Sequence, residues 1–281
     1  MIIKSYHNQK KFFSALRYLV IILSVIIIVF PIIWFALISF KTQKEAFSDK
    51  LTLIFKPTFV HYKKLFTSNT AFGRYYFNSI TVSLFSTIFA LLFGVTAAYA
   101  LSRTKIKAKN NILLSILGAR MVPPILFIIP YYVAFTRLGL IDTRLGLIII
   151  YLQFNLTLVV WTMRAFFDDI PKDLEEAAIV DGAGDYTVFF KIVLPLTTPG
   201  VVSTTVLCLM MSWNEFVYPL LLTQLKAMTA PVAVVVFSSH EAADWGMVSA
   251  GSILLTLPVL FFVFMVKKYM AKGMLGGALK G

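Results

Sequence analysis

The stretch DDIPKDLEEAAIVDGAGDYTVFFKIVLP, residues 168–195, differs from the long apolar segments that fill most of this 281-residue chain. It is charged, amphipathic and interrupted by proline and glycine. Seven of the chain's 13 acidic residues lie between Asp168 and Asp185 against one cation, Lys172, so a chain of net charge +13 carries a local patch of about −6. The seven are Asp168, Asp169, Asp173, Glu175, Glu176, Asp181 and Asp185.

The first half of this stretch predicts a short helix. Pro171 suits the first helical position, where a missing N–H costs nothing. Asp173 and Glu175 lie early enough to interact favourably with the helix dipole. One face, at i, i+3, i+4 spacing, is narrow and mostly small: Leu174, Ala177 and Ala178.

The second half predicts a tight turn and another helix. Gly182 can adopt the left-handed conformation that ends a helix, and Gly184 loosens the turn. Asp185 can cap a second helix over 186–193, which stops before Pro195. Small residues on an exposed face let another backbone approach, and the flanking carboxylates offer a charged rim. The stretch therefore reads as a docking surface for another protein.

Seven fixed positions in this stretch carry a family resemblance. Glu176-Ala177-Ala178, then Gly182, Ile192 and Leu194-Pro195 reproduce EAA-x3-G-x9-I-x-LP. The chain thereby resembles the membrane subunits of binding-protein-dependent ABC importers, whose cytoplasmic loop of this pattern sits in a groove on an ATP-hydrolysing subunit. The resemblance implies ATPase-coupling roles for Glu175, Glu176, Ala177, Ala178, Asp181, Gly182, Ala183, Gly184 and Pro195. The simpler alternative is an ordinary acidic loop between membrane spans.

Composition alone predicts an integral, all-α membrane protein. Hydrophobic residues make up 59% of the chain and charged residues 14%, far from the usage of soluble domains. The single cysteine, Cys208, excludes a disulfide framework, and three scattered histidines show no metal-ligand spacing. The basic residues lie at segment ends rather than on one face, which argues against a nucleic-acid partner.

The hydropathy pattern predicts six spans between an N-terminal tail, 1–18, and a C-terminal tail, 267–281. The first span is longer than a signal peptide's apolar core and lacks a clear cleavage site, so we expect it to be retained. Residues 41–77 read as a long polar loop, and the third span should break at Pro123-Pro124 and Pro130. An apolar run, 230–237, is too short to cross. The spans cover 19–40, 78–101, 112–135, 145–161 (or to 166), 199–222 and 247–266.

The distribution of cations sets the expected orientation. A short basic loop follows the second span, and more lysines follow the sixth, which favours both termini in the cytoplasm and places 168–195 there too. These cations are Arg103, Lys105, Lys107 and Lys109, then Lys267, Lys268, Lys272 and Lys280.

Six polar or amphipathic residues inside predicted spans are candidates for a translocation pathway: Arg120, Gln153, Asn155, Trp213, Asn214 and Glu215. An ionisable residue inside a membrane generally faces protein or water. Two structural alternatives stay open. Arg120 can simply neutralise Glu215, and Asn155 can hold helices together by hydrogen bonds.

No arrangement of residues predicts catalysis. The chain has no HExxH motif, no nucleophile–base pair and no phosphate-binding glycine loop. We therefore expect no catalytic, metal or cofactor site on this chain, and energy from ATP would enter through a partner that binds ATP and Mg²⁺.

Further stretches resemble the carbohydrate-uptake branch, in particular the second permease of maltose-type importers. They are YYFNS (75–79), MVPP (121–124), LGLIDT (138–143), SWNEF (212–216), DWG (244–246) and GMLGGALKG (273–281). The tail departs from the commoner GLTAGAVKG at Met274 and Leu275 among other positions, which weakens any role for it at the ATPase.

The resemblance implies a sugar or polyol importer in the cytoplasmic membrane of a bacterium or archaeon. Its partners would be a second homologous permease, two ATP-binding subunits, an extracytoplasmic solute-binding protein and membrane lipid. The alternatives are an importer of the same family for amino acids or phosphate, a secondary transporter or channel, and, least supported, a membrane enzyme.

Overall fold

The computed structural model describes the backbone over residues 2–46, 54–67, 70–104, 108–238 and 244–278, and side chains at 13–14, 16–46, 54–67, 70–104, 108–238 and 244–265. Lys105, Lys107 and Lys280 lie outside the described residues, as do the side chains of the C-terminal tail. All regular structure in the described ranges is helical, as the composition predicts.

The first helices run α1 Ile2–Ser39, α2 Gln43–Ala46, α3 Val60–Thr67, α4 Phe72–Arg103, α5 Lys109–Met121, α6 Pro124–Arg137 and α7 Arg144–Asp168. They are followed by α8 Asp173–Val180, then α9 Asp185–Thr187, a π-helical turn Val188–Val193 and α10 Leu194–Leu196. The last are α11 Thr198–Trp213, α12 Val217–Leu222, α13 Ala230–Ser238 and α14 Trp245–Ala278.

The described residues divide into two compact units, one drawn from 2–70 and 234–254 and the other from 71–233 and 255–278. In the first unit the apolar span Leu16–Ser39 leaves its most hydrophobic window unburied, which suits a lipid-facing helix. The segment that follows this span returns to it through two hydrogen bonds near Phe40 and Lys41. The buried ring of His61 meets the carbonyl of Lys41 at 2.9 Å, and Thr58 N–H donates to Phe40 at 2.8 Å.

The expectation that 41–77 forms a polar loop is wrong over much of its length, because α2, α3 and the first turn and a half of α4 lie within it. Packing of the buried His61 ring helps to hold α3 in place. The ring lies so close to Gly246 that a Cβ at that glycine would stand 2.1 Å from it, and His61 Nδ1 lies 3.3 Å from Asp244. A pattern search cannot find these contacts, since they join residues far apart in the chain.

The second unit is organised by α4 against α7. The buried face of α4 repeats every four residues with mostly small side chains, so the two helix backbones approach closely. At Gly94 an added Cβ would stand 2.6 Å from Val159 Cγ1 on α7. The buried positions at this spacing are Asn78, Val82, Ser86, Ala90, Gly94 and Ala98. Large apolar side chains such as Phe85, Leu92 and Phe93 cover the exposed face.

Two pairs of helices are sharply bent. α5 and α6 meet at 91° around Pro123, which confirms the predicted break at Pro123-Pro124, whereas α6 continues through Pro130. The α9–α10 segment and α11 meet at 73° around Thr197. The described part of the chain therefore has four continuous helices long and apolar enough to cross a membrane, and up to six crossings if each bent pair counts as one.

The fifth predicted span, 199–222, is wrong as a single helix. α11 ends at Trp213, and α12 begins only at Val217. The carboxylate of Glu215 accepts hydrogen bonds from the N–H groups of Val217 and Tyr218 at 2.9 and 3.2 Å. A side chain that supplies the first N–H groups of a helix favours a new helix start. In the sequence, the only sign of this interruption within the apolar span is the polar pair Asn214-Glu215.

Candidate functional site

The helix α8 ends in the turn that the sequence predicts. Gly182 has φ +89°, in the left-handed region. Its N–H donates to Ile179 at 3.0 Å, and Ala183 N–H donates to Ala178 at 2.9 Å. This pair of bonds is a Schellman motif, which satisfies the last carbonyls of the helix and reverses the chain sharply. The predicted left-handed turn at Gly182 is confirmed.

Two details of the predicted hairpin are wrong. α8 begins at Asp173, so Pro171 stands two residues before it rather than at its first position. Asp185 makes no capping hydrogen bond, and the capping position before α9 is Gly184, whose carbonyl accepts the N–H groups of Thr187 and Val188. The second helix also runs on, through the π-helical turn and Pro195, to Leu196. Its apolar side chains Val188, Phe189 and Val193 are buried, and this packing stabilises the helix past the end that the sequence predicted.

The surface of α8 mixes acidic and apolar side chains. Glu176, Ala177, Asp181, Gly182 and Gly184 are exposed, as is Pro195 beyond the turn. Leu174, Ile179 and Val180 are also exposed, Val180 to 86%. On the other side Ala178 and Ala183 pack against a buried cluster that includes Phe167 and Phe189. We call the exposed set Glu176, Ala177, Ile179, Val180, Asp181 and Gly182 the α8 surface.

Glu175 does not belong to an exposed rim, which corrects the expectation for this residue. It is 8% exposed and turns toward α4. Its carboxylate accepts a hydrogen bond from Arg103 Nε at 2.6 Å and another from the Tyr99 hydroxyl at 2.8 Å. A carboxylate is rarely buried unless it is paired, and both oxygens here have partners.

Three of the six candidate pathway residues meet in one cleft of about 190 Å³, namely Arg120, Gln153 and Glu215. Aromatic side chains form much of its wall: Phe127, Phe154 and Tyr218. Gln153 is oriented by the Tyr131 hydroxyl, which donates to its side-chain oxygen. The cleft thus combines flat apolar faces with a few polar groups, the usual composition of small-molecule sites.

Arg120 and Glu215 share the cleft without pairing. Arg120 Nη2 lies 3.4 Å from the sulfur of Met211, and the Glu215 carboxylate accepts the two N–H groups at the start of α12. Among the described side chains no ion pair within 4.0 Å joins the two. The alternative in which Arg120 directly neutralises Glu215 is therefore wrong for this conformation.

The other three candidates do not line this cleft. Asn155 is fully buried and donates to Ser212 Oγ at 2.8 Å, a contact between helices of the kind that the helix-adhesion alternative expects. Trp213 is buried, and its indole N–H donates to the Leu255 carbonyl at 3.1 Å. Asn214 donates to the Met210 carbonyl at 2.8 Å, within its own helix end. Asn155 and Trp213 thus donate to other helices of the chain, whereas Asn214 is exposed and bonds only within its own helix end.

Sequence reasoning missed the role of Asp142, which stands between α6 and α7 at φ +54°. Its carboxylate accepts hydrogen bonds from the N–H groups of four successive residues, 224–227, at 2.9 to 3.3 Å. Burial raises the pKa of this carboxyl, but the four backbone donors outweigh burial and hold the pKa below 3.8. The motif LGLIDT contained the residue but gave no sign of a partner 80 residues away.

Helix α4 holds the same loop from another side. The Asn78 amide donates to the carbonyls of Lys226 and Met228 at 3.0 and 2.8 Å, and Arg144 Nε donates to the Asn78 side-chain oxygen at 2.6 Å. Ser79 Oγ accepts the N–H of Ala230 at 2.9 Å. We call residues 223–229 the clamped loop. In the described part of the chain no three His, Cys, Asp or Glu side chains converge as metal ligands would.

Comparison with known proteins places this geometry in a family. Residues 90–274 match the family described as binding-protein-dependent transport system inner membrane component. The trehalose transport system permease protein SugB of Mycobacterium tuberculosis is 35% identical over 254 residues, 89% of this chain and 92% of the relative. The trehalose/maltose transport system permease protein MalG of Thermococcus litoralis is 34% identical over 263 residues, 92% of this chain and 94% of the relative.

A solved structure shares the fold. A chain of a bacterial ABC transporter involved in the import of the acidic polysaccharide alginate aligns with TM-score 0.77 at 24% identity, covering 92% of this chain and 96% of that one. The family match spans well over half of the residues and includes α8, its Gly182 turn and the cleft. The chain belongs to the family of binding-protein-dependent transport system inner membrane components.

Proposed function

We propose that this chain is one of two permease subunits of an ABC importer that takes up a sugar or polyol. A second, homologous permease completes the pathway, two ATP-binding subunits hydrolyse ATP, and a solute-binding protein delivers the solute from outside. The observation that carries this proposal is the α8 surface, an exposed acidic and apolar surface on a helix whose other side is packed against its own chain.

The α8 surface suits docking for two reasons. The exposed apolar side chains of Ile179 and Val180 would be stabilised if a partner protein covered them. The small side chain of Ala177 lets the partner's backbone come close. Ala178 and Ala183 pack against the buried cluster that includes Phe167 of α7 and Phe189, so α8 is in contact with the helices that a push would have to move. ATP and Mg²⁺ then belong to the partner subunits, and this chain is a translocating subunit rather than an enzyme.

The proposed orientation follows from the same surface. α8 faces the cytoplasm with both termini, and the clamped loop faces the solute-binding protein on the opposite side. The membrane is the cytoplasmic membrane of a bacterium or archaeon. Closure of the ATP-bound dimer pushes α8, and the bent helix pairs α5–α6 and α9–α11 let the cleft face alternate sides.

The cleft supports a hydroxyl-rich solute. Phe127, Phe154 and Tyr218 offer flat faces for a sugar ring, and the Gln153 amide can exchange hydrogen bonds with hydroxyls. The names of several relatives point the same way: trehalose, trehalose/maltose and sulfoquinovosyl glycerol transport system permeases. An importer for amino acids or phosphate is the second candidate of the same family.

The docking role is tested by Ala177→Asp, with Ala108→Asp as the matched control on another exposed alanine. A new carboxylate at Ala177 would be buried unpaired under the ATPase, at a cost of several kcal/mol. We expect the Ala177→Asp subunit to be inserted, while recovery of the ATP-binding subunits and solute uptake both fall at least about tenfold. The Ala108→Asp variant should retain both. Wild-type uptake by Ala177→Asp would contradict the docking role.

The solute class is tested by competition. Uptake by the wild-type assembly should be inhibited by unlabelled sugars or polyols and not by amino acids or phosphate. Inhibition by the latter would move the chain to the second candidate. Uptake that persists after removal of the ATP-binding subunits would instead indicate a secondary transporter.

A further inference from the structure

A buried charged cluster joins α8 to the last turn of α4. Glu175 on α8 and Arg103 on α4 have side chains that are 10% and 12% exposed, and Arg103 Nε lies 2.6 Å from Glu175 Oε1. The Tyr99 hydroxyl, one turn earlier on α4, donates to Glu175 Oε2 at 2.8 Å. We call these three residues the α4–α8 cluster.

The cluster reaches the segment between α7 and α8 as well. Arg103 Nη2 donates to the Ile170 carbonyl at 3.2 Å, and Nη1 donates to Ser102 Oγ at 3.1 Å. Ser102 in turn donates to Asp168, whose other oxygen lies 3.3 Å from Arg164 Nε on α7. A planar guanidinium with several fixed donors holds its acceptors in one orientation. The network therefore fixes the angle at which α8 leaves the helices.

We propose that Arg103 and Glu175 are positioning residues that transmit movement of α8 to α4. This inference rests on the proposed function, because it assumes that an ATPase moves α8. It differs from the docking role expected for Glu175, since that side chain faces its own chain and not a partner.

Helix α4 is suited to carry the movement. It is continuous from Phe72 to Arg103, and about 38 Å separates Arg103 from Asn78 at 1.5 Å per residue. Asn78 and Ser79 at that far end hold the clamped loop and the start of α13. Because α4 is one continuous helix with bonded partners at each end, a displacement of one end displaces the other. The α4–α8 cluster would thus connect the ATPase side of the chain with the side where solute arrives.

The apolar contacts of α8 are too few to do this alone. Of its eight residues only Ala178 is among those that pack against the buried cluster, while Leu174, Ile179 and Val180 are exposed. Small apolar contacts let a helix slide or tilt, whereas a buried ion pair is costly to break when one partner is removed. The direction of force therefore depends on Glu175 and Arg103.

The test uses the complete importer in vesicles, with Glu175→Gln and Arg103→Gln as variants and Asp173→Asn as the matched control. Asp173 is an exposed carboxylate on the same helix. Three quantities are measured: recovery of the ATP-binding subunits, ATP hydrolysis in the presence of solute-loaded binding protein, and solute molecules moved per ATP. The exchange variant Arg103→Glu with Glu175→Arg serves as the rescue.

We expect both single variants to retain the ATP-binding subunits and to keep hydrolysing ATP, while solute moved per ATP falls at least about tenfold. The exchange variant should recover part of that ratio, which a purely structural role would not require. An unchanged ratio in both single variants would overturn the proposal and leave the docking role intact. Loss of the ATP-binding subunits from Glu175→Gln would also overturn it, because Glu175 would then act in docking.

A second measurement guards against variants that fail to fold. Cysteines replace Arg103 and Glu175 in a Cys208→Ala background, and a reducible bifunctional thiol reagent joins them in the assembled importer. Transport per ATP should rise when the link is formed and fall again when it is reduced. No difference between the linked and reduced states of one preparation would reject the transmitting role.

Discussion

Gly182 and Gly184 show how much depends on single backbone conformations in the docking hairpin. Gly182 has φ +89°, and nothing lies within 4 Å of an added Cβ, so the only obstacle to a side chain is the backbone itself. Gly184 has φ −78° and equal space. Glycine is therefore required at the first position and merely tolerated at the second.

The first prediction concerns this pair of glycines. Gly182→Ala should lower the stability of the hairpin by about 1 kcal/mol or more, because alanine is strained in the left-handed region. Faster amide exchange over residues 178–188 should report the loss. Gly184→Ala is the matched control and should leave exchange unchanged. Equal effects from the two variants would show that the turn, and not its left-handed residue, sets the geometry.

The second prediction concerns Asp142 and the clamped loop. Asp142→Asn replaces one acceptor oxygen by an N–H₂ group facing backbone donors, so we expect a loss of about 1–2 kcal/mol after allowing for partial exposure. Amide exchange over 224–227 should accelerate about tenfold or more at neutral pH. Asp169→Asn, at an exposed carboxylate, is the control.

The same site predicts a pH dependence with a definite sign. The folded pKa of Asp142 is below 3.8, so its contribution to stability is fully present above 3.8 and is lost as the pH falls through the folded value. The clamped loop of the wild type should therefore stay protected down to about pH 4 and open only below it. Opening between pH 5 and 7 would assign the loop's stability to another group.

Sequence reasoning at this scale succeeded where the signal is local. The left-handed turn at Gly182 follows from a glycine after a helical pattern. The burial of Glu175 does not, because an acidic residue in a charged helix is exposed by default and its partner Arg103 lies 72 residues earlier. Asp142 escaped notice for the same reason.

At the scale of helices, the small-residue face of α4 is the main packing device. Gly94→Ala should destabilise the α4–α7 contact by about 1–2 kcal/mol, because overpacking outweighs the gain in helix propensity. The thermal midpoint of the purified subunit should fall by a few degrees. Gly118→Ala on α5, where a Cβ meets nothing within 4 Å, should be neutral or slightly stabilising.

The contact can also be tested by compensation. Val159→Ala removes Cγ1, the atom nearest to a Cβ at residue 94, and leaves Val159 Cβ at 2.8 Å, so Gly94→Ala with Val159→Ala should be more stable than the sum of the single effects predicts, by part of the cost of Gly94→Ala. Additive losses would mean that the backbones separate instead of the side chains adjusting.

Helix existence was predictable and helix interruption only partly so. Proline marked the break between α5 and α6 in advance, since it removes a donor and crowds the preceding turn. The break after Trp213 depends on where the Glu215 carboxylate points, which no apolar pattern reveals. α3 escaped prediction because it packs through His61, a polar residue in an otherwise polar segment.

For the whole molecule, the proposed orientation predicts that two exposed residues, Leu225 and Ala177, lie on opposite sides of the membrane. In a Cys208→Ala background, Leu225→Cys in the clamped loop should react with a membrane-impermeant thiol reagent in intact cells. Ala177→Cys on α8 should react only after the membrane is permeabilised. Reaction of Ala177→Cys in intact cells would place α8 outside and end the proposal of ATPase coupling.

Family membership could be inferred from seven residues of one loop, whereas the residues that line the cleft could not. The polar residues in predicted spans were all reasonable candidates, yet only Arg120, Gln153 and Glu215 meet in one cleft. Helix rotation decides which side chains share a cavity, and a period of 3.6 residues read from a mostly apolar sequence leaves that rotation undetermined. A lipid-facing and a protein-facing apolar residue look alike in sequence.

The clamped loop has a consequence for association. Its backbone is already held by Asp142 and Asn78 in a single arrangement, although it has no regular secondary structure. Binding of another protein to this loop would therefore cost little conformational entropy, since the loop is already ordered. Loss of the bonds from Asp142 or Asn78 should weaken that binding even if every surface contact is preserved.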